Sequence, residues 1–180
     1  MVSKGEENGS ATAKVFLKKG RDKNVRMRHP WVFSGAIQDV QGQAALGETI
    51  EVRAANGDLL GMGAYSPNSQ IRVRMWSVGK AVIDKNFFTE KIVTALKQRE
   101  QLGIPQRNTG YRVINAESDG LPGVVVDRYN DWLVIQCLTA GAEYWKQTIT
   151  EVLLERTVCQ GVYERSDASV RKKEGLPAIP

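Results

Sequence analysis

The chain has little that would point to covalent, metal or redox chemistry. Its 180 residues include only two cysteines, Cys137 and Cys159. Neither has a Cys or His neighbour at metal-ligand spacing, so a disulfide framework is excluded, a metal centre is disfavoured, and a reducing cytoplasm suits the chain. The single histidine, His29, sits beside Pro30 and Trp31 and reads as a turn or packing residue rather than an acid–base catalyst. No apolar run approaches the roughly 20 residues of a membrane span, and the N-terminus lacks the apolar core of a secretion signal. No membrane partner is expected. Also absent are Gly-x-Gly-x-x-Gly, Gly-x-x-x-x-Gly-Lys and an alternating βαβ array. No nucleotide or S-adenosylmethionine pocket is therefore expected, and no cofactor in this chain.

What is present is a sizeable core and one concentrated charge. At 42% hydrophobic residues the chain can bury enough apolar surface for one large or two small domains. Its net charge of +5 is not spread evenly. Residues 14–80 carry 11 cationic against 5 anionic side chains, whereas residues 81–180 carry 13 of each. The densest part is residues 18–31, with Lys18, Lys19, Arg21, Lys23, Arg26 and Arg28 leading to Trp31. Clustered cations suit a polyanion, because each one that meets a phosphate releases a condensed counterion.

The periodicity predicts a β-rich α+β chain. Residues 1–13 are small and polar, begin like the leader of engineered fluorescent proteins, and are expected to be a disordered scar. Residues 14–79 hold several short alternating segments with glycine-rich turns, the pattern of a small barrel. Within it the basic stretch reads as a loop around Gly20, and Asn56-Gly57 reads as a two-residue hairpin turn. Gly61 and Gly63 mark bends or close backbone approach. The segment 71–76 places Ile71, Val73 and Met75 on one face and Arg72, Arg74 and Trp76 on the other, a second cationic face able to stack on bases. Asp84 caps a helical connector within residues 80–110, in which Phe88, Ile92 and Leu96 share a face. Residues 111–180 read as strands, one helix over 142–156 bearing Trp145, Ile149, Val152 and Leu153, and a last strand over 161–165.

Two further clusters could carry chemistry. Glu117 and Asp119 lie one residue apart in a turn held by Gly120, Pro122 and Gly123, and paired carboxylates can divide acid and base roles. The same groups can equally cap backbone amides in a structural turn. Arg165, Asp167 and Arg171, with the charged run through Glu174, form a mixed-charge cluster that either holds an RNA backbone or pairs with those carboxylates. Cys137, inside the most apolar strand, reads as a buried structural thiol.

Taken together, Leu17-Lys-Lys-Gly-Arg21, His29-Pro-Trp-Val-Phe-Ser-Gly-Ala-Ile37, Leu46-Gly-Glu-Thr-Ile50, Gly63-Ala-Tyr-Ser-Pro67, Ser69-Gln-Ile-Arg72, Glu117-Ser-Asp-Gly-Leu-Pro-Gly123, Asp127-Arg-Tyr129, Gly141-Ala-Glu-Tyr144, Arg165-Ser-Asp167 and Val170-Arg-Lys-Lys-Glu-Gly175 form a recognisable series. Over residues 14–176 it resembles the bacterial large-subunit (23S) ribosomal RNA cytosine-5 methyltransferase I family. The resemblance implies an N-terminal PUA pseudo-barrel and a central strand-rich domain of the EEHEE type. It also implies a C-terminal Rossmann-like domain that binds S-adenosylmethionine and supplies the nucleophilic cysteine, and the chain is expected to stop before it. An RNA-binding fragment, inactive alone, is the resulting expectation, with ribosomal RNA as partner and a homodimer left open. Lys18, Lys19, Arg21, Lys23, Arg26 and Arg28 would meet phosphates, and Arg72, Arg74 and Trp76 would offer the stacking face. Glu117, Asp119, Gly120, Arg165, Asp167 and Arg171 would face the catalytic domain or target nucleotide. The alternative is an engineered scaffold or small-molecule sensor; a third reading is a complete enzyme working through Glu117 and Asp119.

Overall fold

A computed structural model describes residues 13–177. The scar expected over residues 1–12 lies outside them. Ala13, assigned to that scar, is instead buried, and its carbonyl accepts a hydrogen bond from Glu51 N–H at 3.0 Å.

Alternation builds the first domain. β1 (Lys14–Leu17), β2 (Trp31–Phe33), β3 (Ile37–Gln41), β4 (Thr49–Arg53), β5 (Leu59–Tyr65) and β6 (Ile71–Val78) form one six-stranded sheet in the order β2-β6-β5-β4-β1-β3. All neighbours are antiparallel except β1 and β4. Val15, Leu17, Ile50, Val52, Leu60 and Val73 fill its inner face. Register shifts, including those at Val52/Arg53 and Met62/Gly63, bend the strands so that the sheet can curl. A Cβ at Gly61 would overlap the Ser77 carbonyl and one at Gly63 the Val73 side chain, so the close approach read from the sequence is present.

The β4–β5 turn differs from expectation. Gly57 N–H bonds to Ala54 C=O and Ala54 N–H to Asp58 C=O, both at 2.9 Å, and only Gly57 has positive φ, at +90°. Ala55 and Asn56 therefore occupy the turn centre and Gly57 forms the following bulge, a longer loop than the two-residue turn Asn-Gly suggests.

Helix and sheet share the second core. Asp84 caps α2 (Lys85–Gln101), accepting from Phe87 N–H at 3.0 Å. The helix is more than a connector: Phe88, Ile92 and Ala95 are buried against a second sheet. Burying a side chain the size of Phe88 contributes about 2–3 kcal/mol. That sheet comprises β7 (Gly110–Asn115), β8 (Val124–Tyr129), β9 (Trp132–Cys137) and β10 (Gly161–Glu164), in the order β10-β9-β8-β7. β10 runs parallel to β9, which demands the crossover that α3 (Ala140–Tyr144) and α4 (Lys146–Arg156) supply. The single helix expected over 142–156 is two, broken at Trp145, whose ψ of 4° leaves the helical range. The one-turn α5 (Val170–Lys173) is the last element among the described residues.

Candidate nucleic-acid interface

The basic stretch is held by one apolar anchor. Within it a single turn of helix, α1 (Lys23–Arg26), replaces the expected loop because Val25 plugs into the barrel core. Arg28 N–H bonds to Val25 C=O and His29 N–H to Asn24 C=O, the paired bonds of a Schellman ending. Arg28 takes the left-handed position, φ +64°, that glycine usually fills. His29 accepts from Trp31 N–H at Nδ1, 3.2 Å, and stacks edge-on to that indole, in keeping with a turn residue.

Lys18, Lys19, Arg21, Lys23, Arg26 and Arg28 are all exposed. Arg26 is partly committed, meeting Asp22 at 2.6 Å and Asp58 at 3.7 Å. Its bond holds the Asp22 carboxyl below its ordinary range and raises the Arg26 guanidinium. Lys18 donates to Gly35 C=O at 3.0 Å. Among the described residues, Lys18, Lys19, Arg21, Lys23 and Arg28 carry no ion pair, which leaves five cations free for phosphate.

The expected second RNA face is a correction. Arg74 and Trp76 are 6% and 4% exposed, so neither is available to stack on or pair with a ligand. Alternation separates two faces of β6 but does not reveal that the second domain covers the outer one. Arg74 pairs with the buried Glu174 at 2.8 Å, and Trp76 lies edge-on to Phe87 and Phe88. Neighbouring ties cross the same seam: Trp31 Nε1 donates to Glu117 Oε1 at 2.8 Å, and Trp145 Nε1 lies 3.4 Å from Thr49 Oγ1. Arg72 remains half-buried and without an ion pair among the described residues.

Asp119 and Arg171 are also corrected. The Asp119 carboxylate, 4% exposed, receives two bonds from Arg99 at 2.7 Å and one from Asn115 N–H at 2.6 Å, which makes it an internal brace of its turn. Gly120 closes that turn at φ +69° beside Lys91. Arg171 is 2% exposed and donates to Cys137 C=O and to Glu143 at 2.7 Å. It therefore pairs with neither Glu117 nor Asp119. Arg165 and Asp167 are exposed and 3.6 Å from each other, and Asp167 lines a different hollow from Glu117. The two clusters thus do not form one site. Cys137 is fully buried, and burial, reinforced by Glu143 and Glu164, pushes its thiol up to about 12, as an inert structural cysteine requires.

Between the barrel and the second domain opens a cleft of about 810 Å³. Arg28 and His29 form its mouth, β6 one wall, and α2 together with the turn from Glu117 to Gly120 the other. Lys91, Thr94 and Gln98 of α2 line it and were missed from sequence. Their only signal was helical position, on the turns of α2 that flank buried Ile92 and Ala95.

Residues 15–78 match the family described as PUA-like domain. The chain is 52% identical over 166 residues to the ribosomal RNA large subunit methyltransferase I of Aliivibrio fischeri, covering 92% of this chain and 42% of that protein. It is 52% identical to that of Vibrio parahaemolyticus and 48% identical to that of Shewanella amazonensis, with the same coverage. The chain thus spans less than half the length of these relatives. Among solved structures, a candidate SAM-dependent methyltransferase from Streptococcus mutans superposes with a TM-score of 0.73 at 16% identity, over 85% of this chain and 40% of that one. A candidate methyltransferase complexed with SAH superposes with a TM-score of 0.74, also at 16% identity. At that identity the likeness speaks for the fold alone, a PUA-like half-barrel joined to a second sheet with helices.

Proposed function

We propose that this chain is the RNA-binding part of a large-subunit ribosomal RNA methyltransferase, since its relatives carry that name and its first domain matches the PUA-like family. The reading is that it grips ribosomal RNA in the cytoplasm, does not transfer a methyl group by itself, and depends on a further domain for S-adenosylmethionine and for cytosine-5 chemistry. The observation that carries it is the five exposed cations without an ion pair among the described residues, Lys18, Lys19, Arg21, Lys23 and Arg28, on the stretch that leads into, through and out of the one-turn helix α1, whose Val25 the barrel core anchors. Such a row contacts phosphates, positions the RNA and reads no bases. Arg165 and Asp167 are proposed to face the catalytic domain or its target nucleotide; Glu117 is proposed to do so from the cleft.

Fluorescence anisotropy with a structured large-subunit rRNA fragment tests this reading, alongside a methyl-transfer assay with labelled S-adenosylmethionine. Binding that weakens linearly in log affinity against log salt, with no methyl transfer, is expected. Salt-independent binding, or transfer by the chain alone, contradicts it.

A further inference from the structure

The cleft between the two domains differs chemically from the basic row that leads into it. Its volume of about 810 Å³ falls in the range of about 300–1,000 Å³ typical of small-ligand sites. It offers both donors and acceptors. Arg28 and Lys91 have no ion-pair partner among the described residues, and Gln98 adds an amide. Glu117 keeps one carboxylate oxygen free while Trp31 engages the other, and Glu90 adds a second carboxylate. The Phe87 ring, with Lys91 Nζ 5.5 Å from its centroid, supplies an aromatic surface. A purely phosphate-binding groove has no use for carboxylates. A nucleobase has: its exocyclic amines donate, its carbonyls and ring nitrogens accept, and its faces stack. Arg28 belongs both to the basic row and to the mouth of the cleft, and it holds a left-handed backbone that glycine would adopt without strain.

We propose that the cleft receives one unpaired nucleotide of the bound RNA, its base between α2 and β6 and its phosphate at Arg28 and Lys91. The proposal rests on the RNA-binding reading above and adds to it a preference for single-stranded over duplex RNA. Glu117 then accepts from a base amine, and Arg28 steers the strand from the row into the cleft.

The test compares the 180-residue chain with Thr94→Trp, which fills the cleft from an exposed helical position, and with Gln98→Trp one turn on as a second variant. Circular dichroism and Tm establish that each folds. Affinity is measured for a single-stranded 12-mer and for a blunt duplex of the same sequence across a salt series. Expected is at least a tenfold loss for the single strand in either folded Trp variant, with the salt slope unchanged and duplex affinity retained. Arg28→Gly is expected to raise Tm while weakening single-strand binding, a combination that a purely structural Arg28 does not produce. Equal losses for single strand and duplex, or no loss in the Trp variants, overturn the cleft proposal and leave the basic row intact. Free cytidine monophosphate binding as tightly as the RNA overturns it in favour of a small-molecule site. A parent chain with no salt-dependent binding overturns both readings.

Discussion

Arg74 and Glu174, 100 residues apart in sequence, meet at 2.8 Å inside the protein and join barrel strand β6 to the end of the chain. Glu174 is 1% exposed and fully occupied, accepting also from Ser66 Oγ at 2.8 Å and Ala140 N–H at 3.2 Å. Removing one partner of such a pair strands a buried charge. Arg74→Ala or Glu174→Ala is expected to cost about 3–5 kcal/mol in urea unfolding, whereas the double replacement Arg74→Met with Glu174→Leu costs far less.

Asp119 braces its turn through Arg99, so its loss acts on stability and not on binding. Asp119→Ala is expected to destabilise by about 3–5 kcal/mol. Measured below its unfolding temperature, the same variant should keep parental affinity for duplex RNA, which meets the basic row and not the cleft; a selective loss of duplex affinity with unchanged Tm would return Asp119 to the phosphate-binding surface.

Glu143 gives the protein an acid-sensitive joint. Burial raises its carboxyl pKa, but hydrogen bonds from Lys146 and Arg171 outweigh that and hold it below its ordinary value of 4.5. A carboxyl with a depressed folded pKa stabilises above its unfolded pKa, and that stability is lost as pH falls through the folded one. The stability gap between the parent and Glu143→Gln should therefore be widest at neutral pH and shrink below about pH 4.5. A gap that stays constant down to pH 3 would contradict this.

The two cysteines should separate chemically. With the Cys137 thiol pushed up to about 12 and fully buried, iodoacetamide at pH 8 should label only Cys159 in the native protein, and both after denaturation. Mass spectrometry of the labelled chain reads this directly; rapid native labelling of Cys137 would mean that β9 opens readily.

Much of the fold was legible because period-2 alternation in β4 and β6, the Asp84 cap and the spacing of Phe88 and Ile92 are local signals. The site was legible only where exposure follows from charge density, as in residues 18–28. Arg74 and Trp76 went astray because alternation identifies two faces of a strand without saying what covers each: Phe87, Phe88 and the distant Gly141 cover Trp76, and Glu174, 100 positions later, covers Arg74. Arg171 misled for the same reason: a run reading Arg-Lys-Lys-Glu looks solvated until Cys137 C=O and Glu143 are found beside the first of them. The break at Trp145 has no proline to announce it. One turn earlier, inside α3, Gly141 packs against Ala64 and Trp76 so closely that a Cβ would overlap both.

The central claim is that the free cations of the first domain grip RNA phosphates. The most direct measurement compares salt titrations of rRNA-fragment binding by the parent and by a chain with Lys18, Lys19, Arg21 and Lys23 all changed to Ala. Arg26 is left in place because Asp22 already occupies it. At about 0.7–0.9 in slope per phosphate contact, the slope of log affinity against log salt should fall in magnitude by about 3 to 4. An unchanged slope would contradict the account and leave the basic row a solvated surface.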